Sequence, residues 1–409
     1  MSLDINLEYF VDGSMGYNLK STEEYKKNIE LCSKASEKVS KEIKEQSNEI
    51  FNSFTFSYQN STKLIRDKII KKKYQLVVGM GGSSAGAKAI NMRIEGNVFF
   101  LDNYDPTYLQ NFFKDYNIKD FTIYVISKSG STFETLAMCN LIFQHLLKIS
   151  TIEEIIKHVI IITEESKSLL SDFAKKNNLQ IIHHNKKIGG RFSVFSETAM
   201  ILFDFDPDKI SNSAQSVVLK LTENNLEDDT NPVVNAAVIL TLQERYGINY
   251  NINLLYDYTL KNYSYWFHQL FAESLGKNEK ALTPMTSICP KDHHSLMQLF
   301  IDGSKNKLFN IYQPFLTEDS LKFSPLGLGS IETKTPNELL ESQYLSVIKT
   351  FKNLKIPHRL VTSTGDKISN IFELFSYNIL ETVVLGYAQN LNPYDQPAVE
   401  QIKVNTFSS

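Results

Sequence analysis

Five short apolar runs in the first half of the chain constrain its fold more than any other feature. They are Tyr74–Val78 closing at Gly79, Val98–Leu101 at Asp102, Phe121–Ile126 at Ser127, Val159–Ile162 at Thr163 and Gln180–Ile182 at His183. Each ends in a small or polar loop and is followed by a helical pattern. Strands that are apolar throughout, with no alternating polar face, belong in a parallel sheet covered by helices on both sides. A second series follows Pro232, with strand candidates Ile252–Tyr256, Lys307–Tyr312 and His358–Val361. Helical patterns at Pro232–Arg245, Tyr258–Leu270 and Pro336–Leu354 separate them. The pattern predicts an α/β chain with two doubly wound parallel-sheet domains, divided in the Asn/Asp-rich segment Glu223–Pro232.

Ahead of the first series, Tyr25, Ile29, Cys32, Val39 and Ile43 recur close to helical spacing among lysines and glutamates. This predicts one or two amphipathic helices covering the domain behind them. The expected layout is a helical extension over residues 1–55, α/β domains over 56–225 and 226–390, and a C-terminal helix over 391–409.

Length and charge narrow the function classes. At roughly 150 residues per domain, 409 residues suit two or three domains. Forty-three basic against forty-six acidic residues exclude a globally basic nucleic-acid binder. Hydrophobic residues at 42% and charged residues at 22% exclude wholesale disorder. Cys32, Cys139 and Cys289 lie far apart without a CxxC, which reads as reduced thiols and neither a disulfide framework nor a zinc site. No apolar run approaches the roughly 20 residues of a membrane helix, and Asp4, Glu8 and Asp12 break any signal-peptide pattern. A cytoplasmic protein with no membrane or nucleic-acid partner is expected.

Ligands of open parallel sheets sit beyond the carboxyl ends of the strands, so the closing loops carry the function. The first is Gly79-Met80-Gly81-Gly82-Ser83-Ser84, which leads from a strand into a helix at Ala85. It has neither the dinucleotide glycine register nor the Lys-Ser/Thr of a P-loop. The second is Ser127-Lys128-Ser129-Gly130-Ser131-Thr132, with Glu134 at capping-box distance from Ser131. Even with Ser131 spent on a cap, Ser127, Ser129 and Thr132 remain for a ligand. A nest of hydroxyls at the positive end of a helix suits a phosphate monoester held without a metal.

These two loops resemble the phosphate loops of sugar isomerase (SIS) domains, which are flavodoxin-like in fold. Further islands make the chain similar to the phosphoglucose isomerase family. They are Gly189-Gly190-Arg191-Phe192-Ser193, Glu273-Ser274-Leu275-Gly276-Lys277, His294-Ser295 with Gln298, and Asp395-Gln396 running to Lys403. The islands stand in the family's order and span residues 79 to 403. The resemblance implies reversible aldose–ketose isomerisation of glucose 6-phosphate and fructose 6-phosphate through a cis-enediol, a step of glycolysis and gluconeogenesis. It implies no metal and no organic cofactor, and a homodimer.

Such chemistry needs ring opening, a proton moved between C1 and C2, and a stabilised enediolate. Glu273 matches the family's base, at the end of a helix carrying Tyr263, Tyr265, Trp266, Phe267 and Phe271. Arg191 matches the fixed positive charge that cannot be lost to a base. His294 and Lys403 align with the ring-opening groups, and in the family this histidine comes from the partner subunit. Adjacent His293 and His294 would point about 100° apart on a helix and chelate a metal poorly. Gln269, one helical turn before Glu273, and Gln396, two turns before Lys403, match substrate-contacting positions. Gly82 and Ser83 join Ser127, Lys128, Ser129, Ser131 and Thr132 as expected phosphate contacts. The chain departs from the family at Leu275, where Asn is common, and at Pro397-Ala398, where Trp-Gly is common. Two alternatives stay open: an isomerase of another sugar phosphate such as mannose 6-phosphate, and a non-enzymatic sugar-phosphate sensor.

Overall fold

The computed structural model describes residues 1–11, 17–318 and 321–399. Its strands, in chain order, are β1 (Leu3–Asn6), β2 (Tyr74–Val78), β3 (Val98–Leu101), β4 (Phe121–Ile126), β5 (Val159–Glu164), β6 (Gln180–His184), β7 (Tyr250–Leu255), β8 (Thr283–Ile288), β9 (Lys307–Tyr312) and β10 (His358–Ser363). The chain divides into two compact units, one of residues 41–215 with 367–375, the other of residues 1–40, 216–366 and 376–409.

The unit containing residues 41–215 is built on a parallel sheet in the order β3-β2-β4-β5-β6. Every residue of the central strand β4 is buried, as a strand covered on both faces requires. One face packs Leu76, Val78, Ile123, Val125 and Ile161 against Leu109, Met138, Ile142 and Leu170 of the helices Pro106–Asp115, Phe133–Ile149 and Leu169–Lys176. The chain steps from β2 outward to β3, then crosses back to β4 on the other side. That reversal is the switch point at which doubly wound sheets open a ligand crevice. Val78 lies opposite Val125, so the loops leaving β2 and β4 emerge nearly level.

The second sheet has the order β1-β10-β9-β7-β8, with β7 to β10 parallel and β1 antiparallel beside β10. Both of its edge strands escape the sequence pattern. Residues 3–6, expected within a helical extension, form a strand, with Leu3 and Ile5 buried and Asp4 exposed. Thr283–Ile288 contains Pro284 and buries only Ser287. An edge strand needs few apolar residues and tolerates proline, so its signal is weak. The expected amphipathic helix is present at Glu23–Lys44 and buries Tyr25, Cys32, Ala35 and Val39, followed by short helices Glu49–Asn52 and Phe56–Arg66.

Buried asparagines cross the middle of this second sheet. Arg359 on β10 donates to Asn310 Oδ1 on β9 at 2.6 Å, and Asn310 donates to Asn251 and Asn253 on β7 at 2.7 Å each. Asn253 reaches Ser264 at 3.0 Å, and Arg359 pairs with the fully buried Glu381 at 2.5 Å. Most of these groups satisfy one another, which removes most of the desolvation cost of burying them; the Asn251 Nδ2 is buried without a partner among the described residues.

Among the described residues no helix is long and apolar enough to cross a membrane, and no group of three or more His, Cys, Asp or Glu could hold a metal ion. Cys32, Cys139 and Cys289 are buried and free of disulfides.

Candidate active site

The two glycine- and serine-rich loops sit at the switch point of the first sheet. The loop after β2 forms a tight turn, Gly81–Ser83, with Gly81 in the left-handed region at φ 53°. Ser83 is half-buried there. The loop after β4 makes its own left-handed turn at Gly130, φ 63°, where a Cβ would come within 2.1 Å of Ser168 Oγ. Ser127 is buried and donates to Thr132 Oγ1 at 3.0 Å; Ser129 and Ser131 are exposed with their hydroxyls 3.0 Å apart. The expected capping box does not form. The helix begins at Phe133 with Thr132 as its N-cap, so Glu134 falls one position short of the reciprocal contact, and no side chain caps the helix. The hydroxyls face one another instead of closing the helix end, whose dipole favours an anion.

Arg191 lies on the turn Gly190–Phe195, buried to 2% exposure. Gly82 is the residue that lets this turn approach: a Cβ there would stand 2.1 Å from the carbonyl carbon of Gly190 and 2.6 Å from the Arg191 nitrogen. Ser193 Oγ donates to Gly82 O at 3.2 Å and to Gly190 O at 2.8 Å. Two islands far apart in sequence thus form one surface. Burial pushes the Lys128 ammonium below its usual range; Glu164 partly offsets this and Arg191 adds to the depression. Two cations and a cluster of hydroxyls therefore converge at the carboxyl edge of one sheet, an arrangement whose charge and donors are complementary to a dianion.

In the other unit, Glu273 lies near the C-terminal end of helix Lys261–Leu275 and is partly exposed. Gln269 Nε2 donates to its Oε1 at 3.0 Å, as the one-turn spacing predicts. Gln269 Oε1 is buried and has no partner among the described residues, which leaves an acceptor beside the carboxylate. Tyr263, Trp266, Phe267 and Phe271 are buried along this helix, whereas Tyr265 is exposed. Lys277 Nζ pairs with Asp395 at 2.6 Å, so the islands of Glu273 and Gln396 meet. Gln396 is half-buried just before a short turn at Pro397–Val399. Lys403 lies outside the described residues; of the helix expected over 391–409, the described residues 391–399 form no α-helix, only the short turn.

His294 is not brought to Glu273. Ser264 and His268 contact Thr286 Oγ1 of β8 at 2.5 and 2.7 Å. A helix joining two parallel strands runs back against them, so Glu273 lies five residues past His268 in one direction, about 7 Å at ~1.5 Å per residue. His294 lies in the other, beyond the last two residues of β8, at least ~7 Å further at ~3.3 Å each. Roughly 14 Å or more along the sheet therefore separates them. His293 is the anchored member of the pair, its Nε2 2.7 Å from the Tyr256 hydroxyl, while His294 is exposed on the turn Lys291–His294.

Sequence reasoning missed the groups that brace the loops. Thr163 Oγ1 donates to Lys128 O at 3.2 Å and Ser168 walls Gly130; Thr163 is near the end of β5 and Ser168 follows it, and the close of that strand is a legible signal. Tyr58 is 139 residues from Glu197, and no spacing rule joins it to the His184 and Glu197 that flank Arg191 in the chain.

Two doubly wound parallel sheets, one with a pair of glycine- and serine-rich loops at its switch point, define the SIS-type class of α/β proteins. Within that class, the chain belongs to the family described as phosphoglucose isomerase, whose profile matches residues 31–307. A glucose-6-phosphate isomerase of Methanocaldococcus jannaschii is 33% identical over 340 residues, 80% of this chain and 82% of that protein. In fold, the chain is similar to a hypothetical protein of Thermus thermophilus, with a TM-score of 0.78, 21% identity and 99% of each chain covered. It is also similar to a glucose-6-phosphate isomerase of Chlamydia trachomatis, with a TM-score of 0.72 and 18% identity over 88% of this chain and 73% of that one.

Proposed function

We propose that this protein interconverts D-glucose 6-phosphate and D-fructose 6-phosphate through a cis-enediol, the reversible isomerisation used in glycolysis and gluconeogenesis. The observation that carries the reading is the convergence of Lys128 and Arg191 on the hydroxyl loop at a sheet switch point, in a chain of this family. Ser127, Lys128, Ser129, Ser131 and Thr132, with Gly82 and Ser83, hold the phosphate, and that binding energy orients the reacting end. Arg191 supplies the fixed charge for the enediolate. Glu273 takes the proton from one carbon and returns it to the other, with Gln269 and Gln396 on substrate hydroxyls; a positioned base of this kind contributes about 10²–10⁴-fold.

His294 and Lys403 serve ring opening, His294 at the site of a second copy. Its exposure and its separation from Glu273 within one chain support this assignment. The apolar segment after β9, with Leu321, Leu326 and Leu328 at 65–80% exposure, suits burial against that copy.

The test is the initial rate on fructose 6-phosphate with a coupled glucose 6-phosphate dehydrogenase, set beside mannose 6-phosphate. A kcat/KM for fructose 6-phosphate at least tenfold above that for mannose 6-phosphate is expected. Binding of either sugar phosphate without turnover would replace the isomerase with a sensor, and preference for mannose 6-phosphate would replace the substrate.

A further inference from the structure

Arg191 sits at the middle of an excursion that leaves β6 at His184 and re-enters regular structure at Glu197, the first residue of helix Glu197–Met200. The two ends of this excursion are joined. His184 Nδ1 contacts Glu197 Oε1, and His184 Nε2 lies 3.0 Å from the carbonyl oxygen of Ile188, the residue before Gly189-Gly190-Arg191. A carbonyl only accepts, so Nε2 carries a proton and donates. Tyr58, on helix Phe56–Arg66, donates to the other oxygen of Glu197 at 2.8 Å. Its neighbour Gln59 donates to Phe195 O at 2.7 Å and Ser53 O at 2.6 Å. His184 and Glu197 are 4% and 5% exposed. Burial alone would raise the Glu197 carboxyl; the hydrogen bond and charge of His184, with the bond from Tyr58, outweigh it and hold the group below its usual range.

A buried ion-paired cluster of this kind is weak evidence for stability, because packed apolar residues do as well or better. It does fix geometry, since His184 and Glu197 each have their directions set by two bonds. This cluster spans the neck of the loop that presents Arg191 and touches the last carbonyl before the two glycines, where the backbone is otherwise most free to swing.

We propose that Tyr58, Glu197 and His184 form a positioning clamp for Arg191, holding the guanidinium at the place where enediolate charge develops. The proposal rests on the reading of Arg191 given above. The clamp touches no substrate; it acts through Ile188 and the turn Gly190–Phe195. Its loss therefore lowers kcat while leaving ground-state binding of the phosphate by the Ser127–Thr132 loop nearly intact.

A cavity of about 540 Å³, lined by Thr55, Ser57, Tyr58, Ser61, Thr62 and Glu197, reaches the carboxylate from outside and gives a second handle. It has room for formate, which can stand in for the missing carboxylate of Glu197→Ala.

The experiment measures kcat and KM separately for Glu197→Gln, Arg191→Ala and the double variant, with melting temperature as a control for folding. A displacement of about 1 Å at a reacting group costs up to ~10²-fold, so Glu197→Gln is expected to lose 10–100-fold in kcat with KM changed less than about threefold. On the Arg191→Ala background the same substitution costs almost nothing further, because the residue it positions is gone. Glu197→Ala recovers part of its kcat in added formate. A wild-type kcat in Glu197→Gln alongside a lowered melting temperature overturns the clamp and leaves a structural role. So does the same fold-loss with and without Arg191. A wild-type kcat in Arg191→Ala overturns the role of Arg191 itself, and the clamp's purpose with it. If Glu197→Gln does not fold, His184→Gln, whose amide can still donate to Ile188 O, decides the matter: it keeps kcat within about threefold, whereas His184→Ala loses at least tenfold.

Discussion

Replacing Gly82 with alanine tests how the site is assembled. The added Cβ would lie 2.1 Å from the Gly190 carbonyl carbon, 2.4 Å from its oxygen and 2.6 Å from the Arg191 nitrogen, where ordinary contact begins near 3.4 Å. All three obstacles are backbone atoms, so no side chain can swing aside. The two segments must part by about 1.3 Å. One segment is the Gly79–Ser84 loop that follows β2, and the other carries Arg191, so parting them moves Arg191 away from that loop. Misplacement of this size costs up to ~10²-fold, and overpacking a tight contact costs about 1–3 kcal/mol. We expect Gly82→Ala to lose 30–100-fold or so in kcat/KM and to melt several degrees lower. The matched control is Gly189→Ala. Its Cβ meets only Phe192 Cδ2 at 3.4 Å, and its φ of −70° suits any residue, so kcat/KM should stay within about threefold of wild type. Coupled assays on fructose 6-phosphate and thermal melts of both variants decide it. A Gly82→Ala enzyme as fast and as stable as Gly189→Ala would refute the close approach of the two loops.

Further predictions concern the second unit and the assembly. His358 is buried, donates Nδ1–H to Ile356 O at 2.7 Å and packs its ring against Tyr9 at a tilt of 32°; burial pushes its pKa down to about 4, against 6.5 when unfolded. Between those values the unfolded chain binds the extra proton, so stability is complete above pH 6.5 and falls by about 3 kcal/mol as the pH drops to 4. His358→Phe should lack that part of the slope in urea titrations at stepped pH. Glu381→Gln leaves Arg359 buried without its counter-charge and should cost about 3–5 kcal/mol by denaturant melt, while Arg359→Met with Glu381→Leu costs less. Glu273→Gln and His294→Ala, each inactive alone, should complement when unfolded and refolded together. In a two-fold dimer half the molecules are hybrids, each with one intact site, so about a quarter of wild-type activity is expected. No recovery would place His294 at its own chain's site or outside the chemistry.

The sequence pattern carries the interior strands because burial on both faces demands unbroken apolar runs. Val98–Leu101, Phe121–Ile126 and Lys307–Tyr312 have the limits read from the chain. It fails at β1 and β8, where one free edge relaxes the demand for apolar residues. It also gives no hint that Asn251, Asn253 and Asn310 are buried beside Arg359, since an asparagine in a strand reads as exposed until its partners are known. The anion loops were legible because their chemistry is local: glycine, hydroxyls and a helix start. The contact of Gly82 with Gly190, and the clamp from Tyr58 through Glu197 to His184, join residues roughly 110 and 140 apart in the chain. Only the folded chain reveals them.

Proton transfer by Glu273 through an enediolate leaves a signature in the isotope taken up from solvent. Fructose 6-phosphate incubated with the enzyme in D2O, and followed by proton NMR, should give glucose 6-phosphate carrying deuterium at C2, with uptake at C1 of the ketose on return. Glu273→Gln, folded and still binding the sugar phosphate, should lower both conversion and uptake by three orders of magnitude or more, as expected when a base that acts directly on carbon is removed. Isomerisation by the wild type that proceeds at full rate in Glu273→Gln, with deuterium still entering at C2, would contradict the account.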